Sequence, residues 1–109
     1  MGKFRLDNKT ALVTGGASGI GFAIARTFAE QGASVHILDL SKEAAQKAAT
    51  QLIEAGYSAF AHSVDVSNHT AVNELFASIA ENSSIDILVN NAGIGFVGNI
   101  EQTTEADFD

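Results

Sequence analysis

The stretch Val13-Thr14-Gly15-Gly16-Ala17-Ser18-Gly19-Ile20-Gly21 decides how the rest of the chain is read. It follows a short apolar run, Ala11-Leu12-Val13, and leads into a helical pattern that begins near Gly19. Its glycines, in the arrangement G-x-x-x-G-x-G, stand where a strand hands over to a helix. Glycine tolerates positive φ in such a turn, and without a Cβ it lets a ligand approach the backbone. The helix beyond offers unpaired N–H groups and the positive end of its dipole, a combination that favours a phosphate. The expectation is a loop that holds the pyrophosphate of a dinucleotide. Glycines also serve plain turns and tight packing, so the surrounding chain has to support this reading.

Working outward, Thr10 to Thr14 reads as a short buried strand that ends at the glycine loop. From Gly19 to Gln31, Ile20, Ile24, Ala25 and Phe28 fall on one helical face, and Gly32 is placed to end the helix. Ser34 to Asp39 is a second strand. Ser41 is positioned to cap the next helix, whose apolar stripe is Ala45, Ala48, Ala49, Leu52 and Ile53, with Gly56 at its end. Tyr57 to Ser63 forms a third strand leading to Val64-Asp65-Val66. Ser67 or Asn68 caps a third helix with Val72, Leu75, Phe76 and Ile79 as its stripe. Asp86 to Asn90 is the fourth strand, followed by Asn91-Ala92-Gly93.

The order is βαβαβαβ. Strands alternating with helices of this length imply parallel pairing through right-handed crossovers, with helices on both faces of the sheet. The expected fold class is therefore α/β, a doubly wound parallel sheet of the Rossmann type with strand order 3-2-1-4. In that order the fourth strand, apolar on both faces, is an open edge. Thr103 or Thr104 could cap another helix, with Glu105 and Asp107 in its first turn. Residues 1–109 are expected to be the first part of a single longer domain that is cut before its later strands.

Composition narrows the function classes. Hydrophobic residues make up 46% and charged residues 17%, as in an ordinary soluble globular chain. With no cysteine, disulfides, thiolate metal sites and thiol catalysis are excluded. No signal peptide or membrane-length apolar run is present, so a cytoplasmic location is expected. The net charge of −7 is uneven: residues 1–47 carry six basic and four acidic side chains, whereas residues 48–109 carry nine acidic and no Lys or Arg. Such an acidic region repels nucleic acid and anionic membranes, and neither is expected as a partner. Compensating charge on a further segment explains the imbalance equally well.

Asp39 adds chemistry to the loop. It lies eighteen residues after Gly21, at the end of the second strand. In a doubly wound sheet that position lies beside the adenosine ribose, where a carboxylate accepts bonds from the hydroxyls. A helix-capping role is the alternative for an acidic strand end. A 2′-phosphate near this carboxylate would meet repulsion on the order of 4 kcal/mol at about 4 Å and an effective dielectric of about 20. Lys42 is the nearest cation in sequence, so NAD is expected over NADP. The histidines, His36, His62 and His69, show no shared metal-ligand spacing and read as core or surface residues. Tyr57 has Ala61 four residues on, so the chain contains no Tyr-x-x-x-Lys pair.

Thr14 to Gly21, Asp65-Val66 and Asn90-Asn91-Ala92-Gly93, in this order and spacing, resemble the short-chain dehydrogenase/reductase family. The resemblance covers nearly the whole chain and roughly the first two fifths of a typical member. It implies that Gly15, Ala17, Ser18, Gly19, Ile20 and Gly21 lie around the pyrophosphate and adenosine, and that Asp39 binds the ribose. It further implies that Asp65 and Val66 line the adenine pocket and that Asn91, Ala92 and Gly93 pass beneath the cofactor, while Asn90 braces the sheet. The family's catalytic Ser, Tyr-x-x-x-Lys and supporting Asn fall downstream of the matched region. The full protein is accordingly expected to be an NAD-dependent enzyme acting on a small alcohol or carbonyl substrate, as a homo-oligomer, with these 109 residues inactive alone. No catalytic residue is assigned within them and no metal is expected. A stand-alone nucleotide-binding module is the alternative. An S-adenosylmethionine-dependent methyltransferase shares the glycine loop and acidic strand end but fits Thr14 and the Asn-Asn-Ala-Gly segment less well.

Overall fold

Thr10–Thr14 (β1) is buried at every position, and that burial places it in the interior of the sheet. A computed structural model describes residues 5–17 and 19–91 of the chain. Ser18, Ala92, Gly93 and the helix expected near Thr103 or Thr104 lie outside the described residues. Around β1 run α1 (Gly19–Glu30), β2 (Ser34–Asp39), α2 (Lys42–Glu54), β3 (Ala59–Ser63), α3 (His69–Ala80) and β4 (Ile87–Asn90). The sheet has the order β3-β2-β1-β4, as expected. All three pairings are parallel, with Val13 beside Ile37 and Val89, and Asp39 beside Ser63.

The period-2 alternation of the strands divides two cores between the faces. Val13, Val35, Ile37 and Val89 meet Ala25 and Ala29 of α1 and Ala45, Ala48, Ala49 and Leu52 of α2. On the other face Leu12, Leu38 and Leu88 meet Val72, Phe76 and Ile79 of α3. Leu12, Leu38 and Leu52 have no exposed surface, and each contributes about 1.5–3 kcal/mol by leaving water. A sheet apolar on both faces with helices on both sides is what a parallel β-sheet requires.

In each of α1 and α2 one residue of the expected stripe is exposed. The buried positions of α1 are Gly21, Ala25 and Ala29, while Ile20 is 73% exposed. These small residues at a spacing of four let α1 lie close to the sheet, while Ile24 and Phe28 pack partly buried against the same core. In α2, Ala45, Ala48, Ala49 and Leu52 are buried as expected, but Ile53 is 51% exposed at the rim. The caps follow the sequence: Ser41 Oγ and Asn68 Oδ1 accept from the N–H groups of Ala44 and Ala71, each at 3.1 Å. Each cap stabilises its helix by about 1 kcal/mol.

Two strands start later than their sequence patterns indicate. Tyr57 N–H donates to Leu52 O at 2.9 Å, so the end of α2 occupies it and β3 begins at Ala59. Asp86 Oδ2 accepts from the Thr10 N–H at 2.9 Å, and Asp86 N–H donates to Thr10 O at 2.9 Å. This reciprocal pair fastens the start of β4 (Ile87–Asn90) to the start of β1. Among the described residues no helix is long and apolar enough to cross a membrane.

Candidate dinucleotide site

Because every pairing is parallel, the C-terminal ends of all four strands lie along one edge of the sheet. The glycine loop, Asp39, Asp65-Val66 and Asn90-Asn91 all leave the sheet at that edge. In open α/β sheets this edge takes the ligand, at the point where strand order reverses beside β1.

The loop is tied down at its first residue. Gly15 N–H donates to Leu38 O at 2.8 Å, and Gly15 O accepts from Asn91 Nδ2 at 3.2 Å. A Cβ at Gly21 would collide with that same Gly15 carbonyl and come within 2.7 Å of Asn91 Nδ2. Only glycine lets α1 start this close to the loop. Gly19 has φ +57°, and a Cβ there would meet nothing within 4 Å. The loop therefore presents bare backbone, immediately before the first turn of α1, to an open surface. Ala17 is half-buried against the first core.

Asp39 is half-buried at the end of β2. Its Oδ1 accepts from Ser41 N–H at 3.2 Å, a bond that leaves Oδ2 for another donor. Its backbone carbonyl accepts from Val64 N–H at 3.0 Å, and the next carbonyl, Leu40 O, accepts from Ser63 Oγ at 3.1 Å. Asp65, on the neighbouring strand end, is exposed and accepts at Oδ1 from Ser67 Oγ at 2.6 Å and Ser67 N–H at 2.9 Å. These two bonds, the hydroxyl first, hold the Asp65 carboxyl below its usual value. Val66 packs half-buried against the α3-side core.

At β4, Thr14 Oγ1 lies 3.3 Å from Val89 O and 3.2 Å from Asn90 Oδ1. Thr14 is fully buried, so this hydroxyl spends its polar capacity between β1 and β4. Asn90 thus braces the sheet as expected. Asn91 has a contact that the sequence does not show, because its amide clips the end of β4 to the first carbonyl of the glycine loop. Ile20 lines an apolar hollow of about 420 Å³ together with Ile24, Phe28 and Val89.

His36 and His62, unremarkable by spacing, come together across β2 and β3. His36 Nδ1 lies 2.8 Å from His62 Nε2, with ring centroids 5.1 Å apart and planes inclined by 16°. That combination places the rings edge to edge, so the two nitrogens share one hydrogen between them instead of diverging toward a metal. Phe60 stacks on His36 at 4.7 Å. Burial, aided by the charge of His62, pushes His36 down to about 4; burial also pushes His62 down. Among the described residues no group of three or more His, Asp or Glu could hold a metal. The pairing was available from strand register: once Asp39 is set beside Ser63, His36 and His62 fall on the same face of adjacent strands.

Comparison with known proteins agrees with this architecture. The family profile described as short chain dehydrogenase matches residues 9–109. The chain is 40% identical over 105 residues to meso-2,3-butanediol dehydrogenase of Serratia marcescens, covering 95% of this chain and 41% of that protein. It is 50% identical over 91 residues to the 3-oxoacyl-[acyl-carrier-protein] reductase FabG of Chlamydia trachomatis serovar D, covering 82% of this chain and 37% of that protein. Among solved structures, the Pseudomonas aeruginosa RhlG/NADP active-site complex superposes with a TM-score of 0.74 at 41% identity, over 84% of this chain and 37% of that one. The chain thus spans about two fifths of the length of the relatives it matches. With its parallel 3-2-1-4 sheet and its family profile in agreement, the chain belongs to the short chain dehydrogenase family.

Proposed function

We propose that residues 1–109 form the cofactor-binding part of an NAD-dependent oxidoreductase that interconverts a small secondary alcohol and its ketone. The observation that carries this reading is Asp39, half-buried at the end of β2 with Oδ1 held by Ser41 and Oδ2 left for a hydroxyl donor. The family uses nicotinamide dinucleotides, and the residues present fit one. Gly19 leaves an uncovered backbone beside the N-terminus of α1, suited to a pyrophosphate. Asp39 suits ribose hydroxyls, and Asp65 and Val66 lie at the next strand end, where an adenine edge would meet them. Gly15, Ala17, Ser18, Ile20 and Gly21 complete the loop in this reading, with Asn91, Ala92 and Gly93 continuing from β4.

Bound there, a nicotinamide dinucleotide supplies hydride transfer. What this chain supplies is binding and orientation. Asp39 disfavours a 2′-phosphate through like charge, which supports NAD over the NADP carried by the RhlG complex. The substrate class follows from the relatives, one named for oxidising a diol and one for reducing a 3-oxoacyl group. The single tyrosine of the chain, Tyr57, has no Lys four residues on. Proton transfer at the reacting oxygen is therefore assigned to residues outside these 109, and the chain alone is expected to be inactive.

Thermal melting in the presence of NADH, NADPH or S-adenosylmethionine tests the proposal. NADH is expected to raise Tm most, NADPH less, and S-adenosylmethionine not at all. A shift with S-adenosylmethionine alone would reassign the site to a methyltransferase.

A further inference from the structure

The turn that carries Asp39 is held from outside its own strand. Leaving β2, the chain passes through Asp39, Leu40 and Ser41 before α2 begins at Lys42. Besides the helix-capping bonds of Ser41, three bonds bear on Asp39 and the peptides that follow it. Val64 N–H reaches Asp39 O at 3.0 Å, Ser63 Oγ reaches Leu40 O at 3.1 Å, and Ser41 N–H reaches Asp39 Oδ1 at 3.2 Å. The first is the ordinary continuation of a parallel ladder, and the third belongs to the passage itself. The second is different, because it comes from a side chain on the neighbouring strand and acts where the β2 ladder has ended. Leu40 cannot be held there by burial, since it is 72% exposed. Without the Ser63 hydroxyl, the Leu40–Ser41 peptide, whose N–H donates to Asp39 Oδ1, would lose the bond to its carbonyl from the neighbouring strand.

Resting on the reading of Asp39 as the ribose-binding carboxylate, we propose that Ser63 is a positioning residue for the dinucleotide. Its hydroxyl fixes the Leu40 carbonyl, thereby holds the Asp39 carboxylate in place, and so sets both the affinity for NADH and the preference for NADH over NADPH. A carboxylate that is free to swing away from its site loses bonds to the ribose hydroxyls and also relaxes its repulsion of a 2′-phosphate. The two effects are expected together.

The same strand pair provides a matched control. At its other end Ser58 Oγ donates to Ser34 Oγ at 3.2 Å, also exposed and also linking β2 to β3, but remote from Asp39. Dissociation constants for NADH and NADPH, measured by fluorescence, are compared for the wild type, Ser63→Ala, Ser63→Thr and Ser58→Ala, with Tm recorded for each. Ser63→Ala is expected to raise the Kd for NADH by about three- to tenfold, the loss of one hydrogen bond, and to narrow the preference over NADPH. Ser63→Thr keeps the hydroxyl and is expected to restore both. Ser58→Ala is expected to stay within about twofold of the wild type, as a surface change away from the site should. Equal behaviour of Ser63→Ala and Ser58→Ala, or loss of binding in Ser63→Ala matched by a large fall in Tm, would overturn the positioning role while leaving the NADH site intact. A wild-type protein that binds no NADH would instead overturn the reading of the site itself.

Discussion

At the scale of single residues, Asp39 and Gly21 bear the most specific consequences. Asp39→Asn keeps the size of the side chain and removes its charge. It is expected to weaken NADH binding by about tenfold or more, as loss of a charge-assisted hydrogen bond does, and to abolish discrimination against NADPH. Titrations of both nucleotides with wild type and variant check this; unchanged discrimination would separate Asp39 from the ribose. Gly21→Ala drives a methyl group into the Gly15 carbonyl, which is backbone and cannot step aside. A loss of about 1–3 kcal/mol in urea unfolding is expected, the usual cost of overpacking. Both positions were legible in the sequence as part of a pattern. Their reasons were not, since the Gly15–Gly21 approach and the Ser41 bond to Asp39 exist only after the strand, loop and helix have been folded against one another.

At the scale of elements, sequence periodicity located each helix and strand among the described residues and missed mainly the small residues by which α1 faces the sheet. The expected α1 stripe holds Ala25 but not Gly21 or Ala29, which the sheet also buries, because close approach of helix and strand favours small side chains over bulky ones. Hydrophobicity alone does not encode that choice. The β2–β3 pair shows a second limit, since the contact of His36 with His62 depends on register between strands that lie 26 residues apart in sequence. The pair has a consequence for pH. Both imidazoles titrate below their ordinary value of 6.5 in the folded state, His36 near 4, so the unfolded chain takes up protons first as pH falls. Stability contributed by the pair is present above about pH 6.5 and declines as pH falls toward about 4. Urea midpoints between pH 7.5 and pH 4.5, in steps of about 0.5, are expected to fall for the wild type and to fall less for His36→Gln. Equal slopes for the two proteins would remove the pair from the acid sensitivity.

For the whole molecule, the parallel sheet forces polarity on the structure: one edge gathers the described candidate binding residues, and the opposite edge gathers the helix ends around Gly32, Gly56 and Ser58. The sequence revealed this polarity through the alternation of strands and helices, and the comparisons place the chain in the short chain dehydrogenase family along residues 9–109. What could not be read from residue types was how the edge is held together: the Asn91 clip on Gly15, the Thr14 link to β4, and the Ser63 bond to Leu40. In the proposed binding mode a nicotinamide dinucleotide lies along the edge formed by the C-terminal ends of the strands. Backbone amide shifts recorded by NMR during an NADH titration test it most directly. The largest changes are expected at Gly15, Gly19, Ile20, Asp39 to Ser41, Asp65 to Ser67 and Asn91, with little change at Gly32, Gly56 and Ser58. Changes concentrated at the opposite edge, or none at saturating NADH, would contradict it.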